Sequence, residues 1–148
     1  WRTEKQLTED DRWKGYATPP VGNANYAWIL HMLSHLSYDG TAAFLLANGA
    51  LNAGVEGEAE YEIRKNLIQD NKVEAIIVLP RDMFYATDIS VTLWLCGNHK
   101  KAKKVRRNGT EVMLRNRENE ILFIRMLRFC STKTDSHRSR LMRLMTRL

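Results

Sequence analysis

The sequence predicts an α/β fold built on a mostly parallel sheet that ends in one antiparallel strand, and three observations carry this. Helical and strand-length apolar patterns alternate from Asn25 to Cys96 in the order helix, strand, helix, strand, loop, strand, the pattern of a layered α/β architecture. Two of the strand candidates, Val73–Leu79 (VEAIIVL) and Ser90–Cys96 (SVTLWLC), are nearly continuous apolar runs, as strands covered on both faces require. About ten residues separate them, fewer than the dozen or so that a parallel crossover needs, so this last pair is antiparallel.

Taken in order, Trp1 to Gly22 is polar and holds Pro19, Pro20 and Gly22, and it reads as a surface connection with little regular structure. Asn23 offers a helix cap. From Asn25 to Ser37 the residues Tyr26, Ile29, Leu30, Leu33 and Leu36 recur at helical spacing, and Asp39-Gly40 ends the helix. Thr41–Ala47 (TAAFLLA) is a strand-length run that opens into Asn48-Gly49, followed by a small, flexible stretch from Asn52 to Gly57. Glu58–Gln69 is a second helix, with Tyr61, Ile63, Leu67 and Ile68 near one face and an acidic first turn that suits the helix dipole. After Cys96 comes the basic run HKKAKKVRR, His99 to Arg107, then the turn signal Asn108-Gly109, then a further strand candidate, Glu120–Met126. Leu141, Leu144, Met145 and Leu148 are spaced for one short amphipathic helix. The expected division is a connection over 1–22, the sheet unit over 23–97 and a basic extension with one further strand over 98–148.

A length of 148 residues, 44% of them apolar, suits one domain with a real core. No apolar run approaches the roughly 20 residues of a membrane helix, and Trp1 stands where a leader or an initiating methionine would. The expectation is a soluble cytoplasmic protein and a piece of a longer one. Cys96 and Cys130 lack the spacing of a zinc site or a disulfide framework and read as reduced structural thiols. The net charge of +6 hides a division. Residues 1–96 carry 8 Lys+Arg against 13 Asp+Glu, whereas residues 97–148 carry 15 against 4. Such a basic excess attracts phosphate backbones or keeps a tail solvated.

The chemistry-bearing candidates are few. Met83, Phe84 and Tyr85 lie on the loop between the last two strands, where they make either a hydrophobic plug or a surface on which a flat ligand stacks. Asn48 stands beyond the carboxyl end of a strand, where open α/β sheets bind ligands, although Asn-Gly is also an ordinary turn. His31 and His35 have metal-ligand spacing but fall opposite the apolar stripe, without the following glutamate of a zinc protease. They read as solvent-facing, and no metal site is expected.

Three segments in fixed order, ANYAWILHMLSHLSYDGTAAFLLANGAL, EYEIRKNLIQDNKVEAIIVLP and MFYATDISVTLWLC, closely resemble the methylation (M) subunit of type I restriction-modification systems. The resemblance covers roughly residues 9–97 and, more weakly, Glu120–Ile124. It implies the second half of a doubly wound methyltransferase sheet, in a site-specific enzyme that moves a methyl group from S-adenosylmethionine to adenine N6 in DNA. Such enzymes swing the target base out of the duplex and hold it by stacking. Phe84 matches the family's aromatic position and is expected to stack on the base, with Tyr85 in reserve. Asn48 and Gly49 match the loop bordering the active site, Thr87 fills a slot of the pattern without an assignable chemistry, and Arg64 fits the pattern without a mechanism.

The family's cofactor loop, Asp-Pro-Ala-Cys-Gly-Ser-Gly, and its Asn-Pro-Pro-aromatic motif do not occur in these 148 residues; Thr18 and Val21 flank Pro19-Pro20. No catalytic residue is therefore assigned, and the separate chain is expected to be inactive. Its implied partners are DNA, a specificity subunit and other restriction-modification subunits, and the missing N-terminal half. Without that half the open sheet edge is expected to drive self-association. Arg125 stands where the family continues with aspartate, so residues beyond about Ile124 fall outside the resemblance. The competing expectation is a noncatalytic nucleic-acid-binding or subunit-interaction module acting through the basic tail. A dinucleotide oxidoreductase is disfavoured because there is no Gly-x-Gly-x-x-Gly.

Overall fold

A computed structural model describes residues 1–81 and 88–126. Helix α1 spans Asn25–Ser34, strand β1 Thr41–Ala47, helix α2 Ala59–Gln69, and strands β2 to β6 Val73–Val78, Val91–Gly97, Lys103–Arg107, Thr110–Leu114 and Leu122–Arg125. The sheet order is β1-β3-β2-β6, with β4 and β5 paired in a separate ribbon.

The local signals act as their chemistry dictates. Asn23 Oδ1 accepts from the Asn25 N–H at 3.0 Å, which satisfies one of the donors that the start of α1 leaves open. Acidic Glu60 and Glu62 sit in the first turn of α2. Just beyond its end Asn71 takes a left-handed φ of 57°, a conformation that asparagine tolerates better than most residues.

Both β1 and β2 pair antiparallel with β3, and β2 pairs parallel with β6. The antiparallel partnership of β2 and β3 follows the short-loop argument. The expectation of a mostly parallel sheet does not hold for the pairings, because β3 is inserted between β1 and β2 instead of closing an edge. Three strands still point one way and β3 alone runs back. The architecture is a mixed α/β layer.

One face of the sheet carries the core. Phe44 of β1, Trp94 and Cys96 of β3, and Val73 and Ile76 of β2 pack under Tyr26, Ile29, Leu30 and Leu33 of α1 and Ile63 and Leu67 of α2. The Trp94 Nε1–H donates to Thr92 Oγ1 at 3.0 Å, so its one polar atom is satisfied inside. Trp13, from the amino-terminal connection, joins this cluster at 3% exposure, so that segment is anchored by one buried indole and a short 3-10 turn, Asp11–Trp13. Ile68, expected on the inner face of α2, is 49% exposed, because the buried stripe is the narrower Ile63–Leu67 pair.

The other face is only partly covered. Pairing places Leu45, Leu93, Ile77 and Ile124 in one row across the four strands, and Ala43, Leu95, Ala75 and Leu122 in a second. None of these eight joins the core cluster; Ala43, Leu45, Leu122 and Ile124 are exposed, Ile77, Leu93 and Leu95 are half-buried and Ala75 is buried. The outer edge of β1 has no hydrogen-bonded strand among the described residues.

Candidate functional site

The carboxyl ends of β1, β2 and β6 meet the amino end of β3 at one end of the sheet. The Leu79 N–H donates to the Val91 carbonyl at 3.0 Å and the Met126 N–H to the Val78 carbonyl at 2.9 Å, which holds these termini level. Between them lies a hollow of about 280 Å³ lined by Val78, Leu79, Pro80, Arg81, Ser90, Arg125 and Met126. Ligands of open α/β sheets sit beyond such strand ends.

Asn48 and Gly49 begin a short 3-10 turn, Asn48–Asn52, directly after β1. Both are exposed, and the Asn48 N–H donates to the Ser90 carbonyl at 3.1 Å, which ties this turn to the segment entering β3. A Cβ built on Gly49 meets nothing within 4 Å, so the position opens outward. Phe84, Tyr85 and Thr87 lie outside the described residues. The two ends of their loop are joined by Arg81 and Asp88, with Arg81 Nη2 donating to Oδ2 at 2.7 Å and Nε to Oδ1 at 3.2 Å. Asn48, at one remove through Ser90, therefore stands beside the base of the aromatic loop.

What fixes the Asn48 turn is Arg64, which the sequence left without a mechanism, together with Tyr26, which it placed only in the apolar stripe of α1. Tyr26 is fully buried, and its hydroxyl donates to the Ala50 carbonyl at 2.6 Å. Arg64 Nη1 donates to that hydroxyl at 3.0 Å and to the Ala53 carbonyl at 2.6 Å. Burial raises the Tyr26 pKa, and the Arg64 guanidinium partly opposes this. One residue from α1 and one from α2 thus clamp both ends of the segment that follows Asn48. Nothing in the sequence marks this contact, because 38 residues separate Tyr26 from Arg64.

The histidine pair packs beside Arg12. Arg12 Nη1 donates to His31 Nδ1 at 3.1 Å, and the His31 and His35 rings pack at 4.4 Å between centroids. His35 is exposed, as expected, while His31 is half-buried beside Arg12. No group of three or more potential metal ligands occurs among the described residues. None of their helices is long and apolar enough to cross a membrane. Cys96 is buried at the end of β3, where burial, helped by Glu74, pushes its thiol up to about 12.

The family model described as N-6 DNA Methylase matches residues 1–142. That span passes Ile124, where the resemblance was expected to stop. The type I restriction enzyme HindI methylase subunit of Haemophilus influenzae is 44% identical over 103 residues, which is 70% of this chain and 22% of that protein. The MjaIX methylase subunit of Methanocaldococcus jannaschii is 46% identical over 88 residues, 59% of this chain and 15% of that protein. The chain therefore spans about a fifth or less of the length of these relatives. The crystal structure of a type I restriction-modification system methyltransferase subunit from Streptococcus thermophilus superposes with a TM-score of 0.66 at 22% identity, covering 99% of this chain and 29% of that one, a likeness of fold.

Proposed function

We propose, from the premise that the chain belongs to the N-6 DNA Methylase family, that it is the carboxy-terminal part of the catalytic core of a type I methylation subunit. The whole enzyme is read as a site-specific DNA adenine N6-methyltransferase acting in the cytoplasm with a specificity subunit and other restriction-modification subunits. The observation that carries this reading is the 44–46% identity to type I methylase subunits over 103 and 88 residues of this chain.

S-adenosylmethionine supplies the methyl group in such an enzyme. The cofactor loop and the Asn-Pro-Pro-aromatic motif are not in these 148 residues, so no transfer step is assigned to this chain, and alone it is inactive. Its share of the work is the target base. An adenine swung out of the duplex loses its stacking, and an aromatic face restores about 1 to 3 kcal/mol per base. Phe84 is the stacking residue, with Tyr85 in reserve and Thr87 at the border. Asn48 and Gly49 form the polar rim next to that loop, held in place by the Tyr26–Arg64 clamp.

The partly uncovered sheet face supports the half-enzyme reading. Two rows of aliphatic side chains are what helices on the second side of a doubly wound sheet would cover, and the missing half would provide them. The test is to titrate S-adenosylmethionine calorimetrically into this chain, and then into the chain mixed with the preceding part of a family methylation subunit. Methyl transfer to duplex DNA is measured in the same mixture. The reading expects no heat from the chain alone, binding and transfer in the mixture, and loss of recombination on Leu93→Glu, which puts a charge into one of those rows. Tight cofactor binding by the chain alone would refute it.

A further inference from the structure

We propose that the β4–β5 ribbon is a contact for the phosphate backbone of duplex DNA, on a surface separate from the strand-end site. The basic run His99–Arg107, read from sequence as a linker or a phosphate contact, is built as a hairpin. Lys103 pairs with Leu114, Val105 with Val112 and Arg107 with Thr110. Asn108 and Gly109 take φ values of 51° and 82°, the two left-handed residues of the tight turn that matches the twist of a ribbon.

The cations on this unit divide into two groups. Those at its root are engaged. Lys103 Nζ reaches Asp39 at 3.0 Å, Arg117 reaches Glu74 at 2.7 Å and Arg115 forms a fork with Glu120. The Lys100 ammonium, in a residue 4% exposed, donates to the Glu120 carbonyl at 2.7 Å. Lys101, Lys104, Arg106 and Arg107 are exposed and form no ion pair within 4 Å among the described residues; Glu111, the one acid on the hairpin, stands across from Arg106 in the register. A solvated linker needs no such bracing. A pinned root and an arm whose Lys104 and Arg107 have no acid opposite them suit a ligand of regularly spaced negative charge. A two-stranded ribbon also fits the major groove of B-form DNA.

The root fixes where this contact lies. Gly97 ends β3 against Thr41, and its N–H donates to the Lys72 carbonyl, so the ribbon leaves from the amino ends of β1 and β2. Across strands of seven residues that is roughly 20 Å from the strand-end site. The ribbon holds the duplex without touching the reacting base.

The test is binding of the full chain to a labelled mixed-sequence duplex without cofactor, followed by fluorescence anisotropy as salt rises from about 50 to 200 mM. Each phosphate contact adds about 0.9 to the magnitude of the slope of log K against log salt. The combined change Lys104→Gln, Arg106→Gln, Arg107→Gln is expected to flatten the slope by about 2 to 3 and weaken binding about 10-fold or more at low salt, with an unchanged melting temperature. Arg138→Gln, Arg140→Gln, Arg143→Gln removes the same charge elsewhere and is expected to do less. Equal losses in the two variants, or an unchanged slope in the ribbon variant, would overturn the proposal. So would equal affinity for polyglutamate, which would point to an acidic protein surface instead. The assay needs neither cofactor nor the missing half, so its outcome is independent of methyl transfer.

Discussion

Replacing Tyr26 by phenylalanine removes one oxygen from the centre of the clamp and leaves the ring, which is fully buried in the core, in place. The hydroxyl makes two hydrogen bonds, to the Ala50 carbonyl at 2.6 Å and from Arg64 Nη1 at 3.0 Å. Arg64 keeps its 2.6 Å bond to the Ala53 carbonyl, so the guanidinium stays partly satisfied. The carbonyl of Ala50, a residue 1% exposed, loses its donor with no ready access to water. A buried acceptor stranded in this way costs about 1 to 3 kcal/mol, and about 2 kcal/mol is the expectation for Tyr26→Phe. For a domain of this size that lowers the melting temperature by about 8 °C.

Thermal melts of the parent and the variant at matched concentration give that number, and hydrogen exchange gives its location. Amides of the Asn48–Asn52 turn should exchange faster in the variant, while those of β3 beyond Val91 keep their protection relative to global unfolding. A melting temperature within about 2 °C of the parent, with exchange in the turn unchanged, would refute the clamp. A fall in stability spread evenly over all amides would show that Tyr26 supports the core and not the turn.

Two further outcomes follow from the titrating groups. In a chain carrying Cys130→Ser, Cys96 should resist thiol reagents at pH 8 and react only on unfolding, since it is buried with its pKa pushed up to about 12; prompt stoichiometric labelling of the native chain would contradict this. Asp10, which accepts from Arg12 Nε and Nη2 at 2.7 Å each, is held down to about 2 from 3.8 by that hydrogen-bonded fork. A depressed carboxylate contributes stability above its unfolded pKa and loses it as pH falls through the folded one, so Asp10→Asn should lower the melting temperature at pH 6 and match the parent by about pH 2.

The elements legible in the sequence are those whose side chains sort by environment. TAAFLLA became β1 with its predicted bounds, and α1 and α2 followed the spacing of Tyr26, Ile29, Leu30, Leu33 and of Ile63, Leu67. The β4–β5 hairpin was not read as strands, because KKVRR presents charge on both faces and TEVML is a short, exposed run without apolar alternation. Only Asn108-Gly109 announced it. The clamp was invisible for another reason. A tyrosine at helical spacing looks like core, an arginine on a helix looks like surface, and their meeting depends on two helices lying on one side of the same sheet. The position of β3 within the sheet is likewise a matter of pairing partners, which a run of apolar residues does not specify.

The reversal of β3 decides where the two halves of the charge go. The loop between Arg81 and Asp88 opens at the carboxyl end of β2, in the acidic part of the chain, where 13 acids face 8 bases. Were β3 parallel to β2, a crossover would take the chain back to the amino ends and β3 would return it to the carboxyl end, so the basic segment after Cys96 would emerge beside the aromatic loop. An antiparallel β3 carries the chain to Gly97 at the opposite end, next to Thr41 and Lys72, before the basic ribbon begins. The basic ribbon thus stands a sheet's length from the strand-end hollow, where Arg81 and Arg125 are the lining cations. The connectivity that makes the sheet mixed is the same feature that separates the basic ribbon from the strand-end site.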